Sequence, residues 1–532
     1  MAFSTTRRAL LAGTAAMGLL GRASARVTDH NRLPNVVVIY ADDLGYGDVG
    51  CYGATAVRTP NIDRLAAEGL RFTNGHAPAA TCTPSRYALL TGRYAWRKDG
   101  AHILPGDAPA LIRPGTATLP SVLRGAGYRT GVVGKWHLGL GDGHIDWNQD
   151  ISPGPLEIGF DYSYIIPATI DRVPCVYVEG RRVVGLDPAD PIQVDYRQKV
   201  GSDPTGRENP DLLRLRPNDG HDGTIVDGVS RIGFMSGGKA ARWKDEEMAE
   251  HLAGKASAFI RDSVSADPSK PFFLYFAPNE VHVPRLPAPR FRGATTMGTR
   301  GDVIAELDWC VGEVLQALTD AGVERDTLVV FSSDNGPVLN DGYDDEAVAK
   351  VGTHRPAGPF RSGKYSIYDG GLRVPMIVRW PAGVNGGATS SALIDHVDLT
   401  ASLAALARQP LASDAAVDSF NMLAPLLGRS REGRRFVIEE ASTVVSEKAT
   451  LAKGAGGSIL ALVEGPWKLI RASGGAASFH GNDIGAAAAP QLFNLLHDPD
   501  EKEDLSSRQL ELVQAMDRRL AAMVAAGRTR PR

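Results

Sequence analysis

Short continuous apolar runs punctuate the N-terminal part of the chain. Val36-Val37-Val38-Ile39-Tyr40 leads into Ala41-Asp42-Asp43. Gly131-Val132-Val133, Phe272-Phe273-Leu274-Tyr275-Phe276, Leu328-Val329-Val330-Phe331 and Met376-Ile377-Val378 repeat the pattern. Runs without polar alternation predict strands buried on both faces, as in parallel sheets. Between them lie stretches with helical spacing. Ile304, Leu307, Val311, Leu315 and Leu318 fall on one helical face. Asn61 to Glu68 reads as another helix, with Pro60 near its start and Gly69 at its end. Strands alternating with helices predict an α/β fold, a large mostly parallel or mixed sheet sandwiched by helices.

Past about Pro410 the pattern changes. Phe436-Val437-Ile438, Ser458 to Val463, Trp467 to Ile470 and Gln491 to Asn494 are short strand candidates separated by turns. A terminal helix follows, with Leu512, Met516, Leu520 and Met523 on one face and Gly527 as its stop. This predicts a smaller C-terminal antiparallel sheet with one packed helix. The Gly/Ala-rich pieces Gly474 to Ala477 and Gly485 to Ala489 read as loops. The expected organisation is a large N-terminal α/β domain over 33–412 and a small α+β domain over 413–532. Residues 151–242 are rich in Pro, Gly, Asp and Arg with little periodicity. They read as an insertion over the working edge of the sheet, or as a plain surface excursion.

Composition narrows the class. The 532 residues are 43% hydrophobic and 22% charged, which excludes disorder as the main state. With 58 basic and 61 acidic residues the net charge is −3, so the broad basic field of a nucleic-acid binder is missing. Any bound anion must be held by local charges. Cys51, Cys82, Cys175 and Cys310 form no CxxC pair, which excludes a disulfide scaffold and a zinc knuckle. At most one bridge is expected.

Residues 1–25 read as an address. Arg7-Arg8 precede a mild apolar run through Leu20, and Ala23-Ser24-Ala25 is a small-residue cleavage site. Adjacent arginines before a weakly apolar stretch predict a twin-arginine signal, with an ordinary secretory signal as the alternative. The run is too short to span a bilayer, and no later stretch is long enough. The expectation is an exported protein, periplasmic or secreted, handled by twin-arginine machinery, without stable membrane insertion.

Candidate chemistry sits at strand ends, where open α/β sheets bind ligands. One predicted strand ends in Asp42-Asp43, another in Ser333-Asp334-Asn335-Gly336. Three carboxylates and an amide sharing one crevice would need a cation, and hard oxygen donors suit calcium or magnesium. The alternative is that each pair only caps a turn. In Cys82-Thr83-Pro84-Ser85-Arg86, Thr83 and Pro84 suit the start of a short helix through Leu90. A thiol at that helix N-terminus would have a lowered pKa and be reactive. Otherwise Cys82 is a small buried cysteine beside a capped helix.

Cys82-Thr83-Pro84-Ser85-Arg86-Tyr87-Ala88-Leu89-Leu90-Thr91-Gly92-Arg93 resembles the signature of the type I sulfatases of the alkaline phosphatase superfamily, C-x-P-S-R-x-x-L-x-T-G-R, at every fixed position. Gly134-Lys135-Trp136-His137-Leu138-Gly139 resembles the family's second motif. Asp42, Asp43, Asp334 and Asn335 match its calcium ligands. His282, in Val281-His282-Val283-Pro284, and Lys364, ahead of Gly370-Gly371-Leu372-Arg373, match its remaining sulfate-site positions.

The resemblance implies that a maturation enzyme converts Cys82 to formylglycine, whose hydrate supplies the nucleophile and joins the ligands of one calcium ion. Calcium and Arg86 would ease ionisation of one hydroxyl, which attacks sulfur in line and expels the alcohol. Deprotonation of the second hydroxyl, with His137 as base, would release sulfate and restore the aldehyde. Lys135 would hold the diol. His282 and Lys364 would bind a sulfate oxygen, one of them protonating the leaving oxygen. The implied activity is hydrolysis of an organic sulfate ester, with a carbohydrate sulfate as substrate. Two alternatives remain at this stage: a phosphate or phosphonate ester hydrolase of the same superfamily, and a non-catalytic binder of sulfated glycans. Asp171-Arg172, Arg181-Arg182 and Arg197 in the insertion read as solvated charges, with contact to a sugar acid or second sulfate as the alternative.

Overall fold

The computed structural model describes residues 32–442 and 457–531. The export segment predicted over 1–25 lies outside the described residues. The strands of the main sheet are β1 (Asn35–Ala41), β2 (Leu70–Phe72), β3 (Arg129–Lys135), β4 (Tyr162–Ile166), β5 (Val178–Glu179), β6 (Arg182–Val183), β7 (Phe272–Ala277), β8 (Thr327–Ser333), β9 (Met376–Arg379) and β10 (Ala388–Ser390). Their order is β10-β2-β9-β8-β1-β7-β3-β4-β5-β6. The five central strands β8, β1, β7, β3 and β4 run parallel, and antiparallel pairs flank them at both sides.

The apolar runs explain this core. Every residue of β1, β7 and β8 is buried, as expected where helices cover both faces of a parallel sheet. Helices α1 (Pro60–Ala67) and α4 (Met248–Ala266) both pack on α5 (Thr299–Asp320). A second group comprises α2 (Cys82–Thr91), α3 (Leu119–Gly125) and α6 (Leu399–Leu406). Part of the 151–242 segment enters the sheet: β4 extends it beyond β3 and the β5–β6 hairpin closes its edge.

The smaller sheet is antiparallel throughout. Its strands are β11 (Phe436–Ser442), β12 (Ser458–Glu464), β13 (Trp467–Ile470) and β16 (Gln491–Asn494), in that order. A hairpin of β14 (Ser478–Phe479) and β15 (Asn482–Asp483) interrupts the run between β13 and β16. The period of two divides this sheet's side chains between two cores. Ile438, Leu462, Leu469 and Leu492 pack with Met516 and Leu520 of α7 (Leu510–Ala525) and with Ala88 of α2. Ala441, Ile459, Ala461, Ile470 and Phe493 pack instead on Tyr365, Ile367, Tyr368 and Leu372. The second face is thus pressed against the loop that carries Lys364. Gly527, at φ +68°, follows the end of α7 as predicted.

Candidate active site

The central parallel strands deliver their residues to one edge. β1 ends at Asp42-Asp43, β8 at Asp334-Asn335 and β3 at Lys135, while the segment after β7 carries His282. Asp43 has φ +59°, a left-handed conformation that Asp tolerates better than most residues. Gly134 sits at φ +108°, and a Cβ there would lie 2.0 Å from the Ala277 carbonyl oxygen. Only glycine lets β3 approach β7 this closely just before Lys135 turns inward.

Cys82 is the first residue of α2, with Thr81 as the N-cap and no side-chain cap bond. The start thus lies two residues ahead of the expected Thr83 cap. Thr83 Oγ1 instead donates to the His137 carbonyl oxygen at 2.9 Å, tying the helix to the loop after β3. Cys82 Sγ lies 3.6 Å from Asp42 Oδ1. Burial pushes the Cys82 thiol well above its usual pKa, with Lys135 opposing, and Asp334 and Asp42 adding to it. This corrects the expectation of a lowered pKa: desolvation between carboxylates outweighs the helix N-terminus. All four cysteines are free thiols.

The cations interleave with the carboxylates. Lys135 Nζ is 2.5 Å from Asp42 Oδ2. Lys364 Nζ is 2.9 Å from Asp43 Oδ2 and 2.8 Å from Asp341 Oδ2. Arg86 donates to Asp334 Oδ2 through Nε at 3.0 Å and Nη2 at 2.7 Å. All of these side chains are buried. Burial pushes the Asp42 carboxyl up to about 8 despite Lys135. Burial works against the charge of Asp334 too, but Arg86, Lys135 and Lys364 together hold it below its ordinary value.

Burial holds both site histidines toward the neutral form. His137 Nε2 is 2.9 Å from the Leu104 carbonyl oxygen, so Nε2 carries the proton and Nδ1 presents its lone pair. That buried Nδ1 has no hydrogen-bond partner. Burial, with Lys135 and Arg172 nearby, holds the ring well below its usual pKa. His282 Nδ1 donates to the Val283 carbonyl oxygen at 2.7 Å, and Nε2 lies 3.8 Å from Asp43 Oδ2. Burial and Lys364 lower its pKa to about 4.

The donor set fits a hard cation. Ligand atoms of Asp42, Asp43, Cys82 and Asp334 lie within 4.8 Å of one another. Asn335 Nδ2 donates to Asp43 Oδ1 at 2.8 Å, while its own Oδ1 is buried with no donor in reach. An unpartnered amide oxygen among three carboxylates is the oxygen-rich donor set that a hard cation takes.

All ten sequence-predicted site residues therefore converge. Sequence reasoning missed Asp341, which holds Lys364 and accepts a 2.8 Å bond from the Tyr365 hydroxyl. It also misread Asp171 and Arg172 as solvated. Both are buried: Arg172 Nη1 lies 2.9 Å from Asp171 Oδ2, and His221 Nε2 lies 3.1 Å from the same oxygen. Burial opposes the charge of Asp171, but Arg172, His282 and His221 hold its pKa well down. Arg181, Arg182 and Arg197 do remain exposed.

Fixed cations and carboxylates gathered around a helix N-terminus, at the carboxyl edge of a parallel sheet, define an enzyme for esters of a tetrahedral oxyanion. The chain belongs to the sulfatase family, whose model matches residues 34–409, and it is a sulfatase. It is 47% identical to the N-acetylgalactosamine-6-O-sulfatase of Bacteroides thetaiotaomicron over 93% of this chain and 94% of that one. Human arylsulfatase A is 34% identical, over 76% of this chain and 70% of its own. A solved structure from work on glycosaminoglycan metabolism by Bacteroides thetaiotaomicron superposes with a TM-score of 0.87 at 47% identity, covering 92% of this chain and 99% of that one.

Proposed function

We propose that this sulfatase hydrolyses a carbohydrate sulfate ester, with a 6-sulfated N-acetylgalactosamine as the leading substrate, using Cys82 in its formylglycine form. The observation that carries this reading is the surroundings of Cys82. A reactive hydroxyl at that position has carboxylates on one side, Lys135, Lys364 and Arg86 within the same cluster, and a histidine with a free lone pair on the adjoining loop. An unconverted thiol suits the chemistry poorly, because burial keeps it protonated. The substrate assignment is supported by the named activity of the relative at 47% identity.

Asp42, Asp43, Asp334 and Asn335, with residue 82, would hold one calcium ion. Bound there, calcium would supply positive charge for the sulfuryl oxygens and ease ionisation of the attacking hydroxyl. The chain's own residues do the rest. Lys135 orients the nucleophilic group, and Arg86 fixes Asp334 and adds positive charge at the start of α2. Lys364, and His282 once its Nε2 takes up a proton, contact a sulfate oxygen, and one of them delivers a proton to the departing alcohol. His137 Nδ1 takes the proton of the second hydroxyl, so that sulfate leaves and the aldehyde returns. A pure binder of sulfated glycans has no use for such a lone pair. Conversion of Cys82 requires a maturation enzyme, and we assign the export segment to a twin-arginine route leading to the periplasm or beyond. No helix among the described residues is long and apolar enough to cross a membrane.

The test measures sulfate release from 6-sulfated and 4-sulfated N-acetylgalactosamine, with 4-nitrophenyl sulfate and phosphate in parallel. Mass spectrometry of the Cys82 peptide accompanies it. Faster turnover of the 6-sulfate, with converted Cys82, is expected. Preferred turnover of the phosphate, or an unmodified thiol in fully active enzyme, would overturn the reading.

A further inference from the structure

The β14–β15 hairpin carries the C-terminal chain back to the active-site loop. Asp483 Oδ2 accepts from Arg361 Nη2 at 2.6 Å, and Ser362 Oγ donates to the Asp483 carbonyl oxygen at 2.7 Å. Asn482 Nδ2 donates to the Lys364 carbonyl oxygen at 3.0 Å. Phe479 stands edge-on to the Tyr365 ring, centroids 4.8 Å apart. The hairpin is therefore fixed relative to Lys364. At its tip, His480 has φ +47° and a side chain 9% exposed. Its Nε2 lies 3.7 Å from Asp341 Oδ1, the carboxylate that also holds Lys364, and 3.9 Å from Asp219 Oδ2 on the facing loop. Both separations are too long for a hydrogen bond.

We propose that His480 is a specificity-determining residue of this site, hydrogen-bonding a neutral hydroxyl or acetamido group on the sugar that carries the sulfate. The assignment rests on the carbohydrate-sulfatase reading above. A neutral imidazole both donates and accepts, which matches a hydroxyl or an amide. Burial keeps the ring neutral, with Asp341 and Asp219 opposing. Those two carboxylates also make the position hostile to a second sulfate or a uronate. The tether through Asn482 and Asp483 sets the ring at a fixed place beside Lys364, as recognition of one sugar ring requires.

The test compares kcat/KM on a 6-sulfated N-acetylgalactosamine with kcat/KM on 4-nitrophenyl sulfate, which has no sugar. His480→Asn keeps a residue that tolerates positive φ but withdraws the imidazole. The ratio of the two values is expected to fall roughly 10- to 100-fold, the usual effect of stranding one substrate hydrogen bond. His480→Gln, which restores a donor and an acceptor at greater reach, recovers part of the ratio. An unchanged ratio overturns the proposal, as does a parallel fall on both substrates or a Gln variant no better than Asn. Wild-type enzyme idle on both sulfates would instead overturn the proposed carbohydrate-sulfate substrate, and this assignment with it.

Discussion

Lys135 Nζ and Asp42 Oδ2 stand 2.5 Å apart with both side chains buried. Lys135 is the largest charge opposing the burial that lifts the Asp42 carboxyl, beside Asp43 and Asp334. Truncating one partner of a buried pair typically costs about 3–5 kcal/mol. Lys135→Ala should therefore melt well below wild type in EGTA. Calcium should close part of that gap, because a cation among the same oxygens takes over the compensation. For wild type, calcium at 100 times its dissociation constant should add about 2.7 kcal/mol. Thermal melts with EGTA and with calcium check both statements. Identical melts for wild type and variant, with and without calcium, would remove the cation site.

Cys82 is expected to be indispensable for turnover and dispensable for folding. Its side chain is small, and among the described residues its one side-chain hydrogen bond is the weak one to Asp42. Cys82→Ala should lose roughly 10³-fold or more in kcat with an unchanged circular dichroism spectrum. Cys82→Ser has a single hydroxyl and no second one to expel sulfate, so it should stop as a sulfated enzyme. Sustained hydrolysis by either variant would place the nucleophile elsewhere.

His137 is the site's one buried ring with an unused lone pair on Nδ1, among the described residues lining it. Its backbone is at φ +55°, so His137→Asn is the least disruptive removal. Loss of a general base costs roughly 10²–10⁴-fold. In the proposed scheme that loss falls on sulfate release, so a burst of alcohol should precede a slow steady state. A slow reaction with no burst would move His137 to the first chemical step.

The central strands and the reacting groups were legible for different reasons. β1, β7 and β8 are unbroken apolar runs, and burial on both faces requires that pattern. β4 escaped because Tyr162-Ser163-Tyr164 breaks the run, although Ser163 is buried and its hydroxyl donates to the Gly180 carbonyl oxygen. Cys82, Arg86 and the strand-end carboxylates lie in compact motifs, so local spacing sufficed. Asp341 is a single carboxylate in an irregular loop, and Asp171-Arg172 is a charged pair that solvent would ordinarily claim. Their partners stand far away in sequence: Lys364 for Asp341, His221 for Asp171. His480 was hidden still further, between two-residue strands that fall between the Gly/Ala-rich pieces 474–477 and 485–489 that read as loops. No periodicity encodes a contact of this kind; it arises only when the second sheet docks on the Tyr365 to Leu372 loop.

Glu440 gives the fold a measurable pH dependence away from the catalytic groups. It lies on β11, its Oε1 accepts from Ser458 Oγ, and its Oε2 is buried without a partner. Burial raises its pKa from 4.5 to about 7, against the Ser458 bond. Between those values the native state keeps a proton that the unfolded chain gives up. The group's contribution is therefore complete below pH 4.5 and is lost as pH rises through 7. The raised value corresponds to roughly 3 kcal/mol at alkaline pH. Glu440→Gln keeps an acceptor for Ser458 and cannot ionise. In urea titrations the variant should match wild type near about pH 4 and exceed it by up to roughly 3 kcal/mol near about pH 8. Equal pH profiles for the two proteins would mean that Glu440 ionises in the folded state without cost, and that its burial is relieved by solvent.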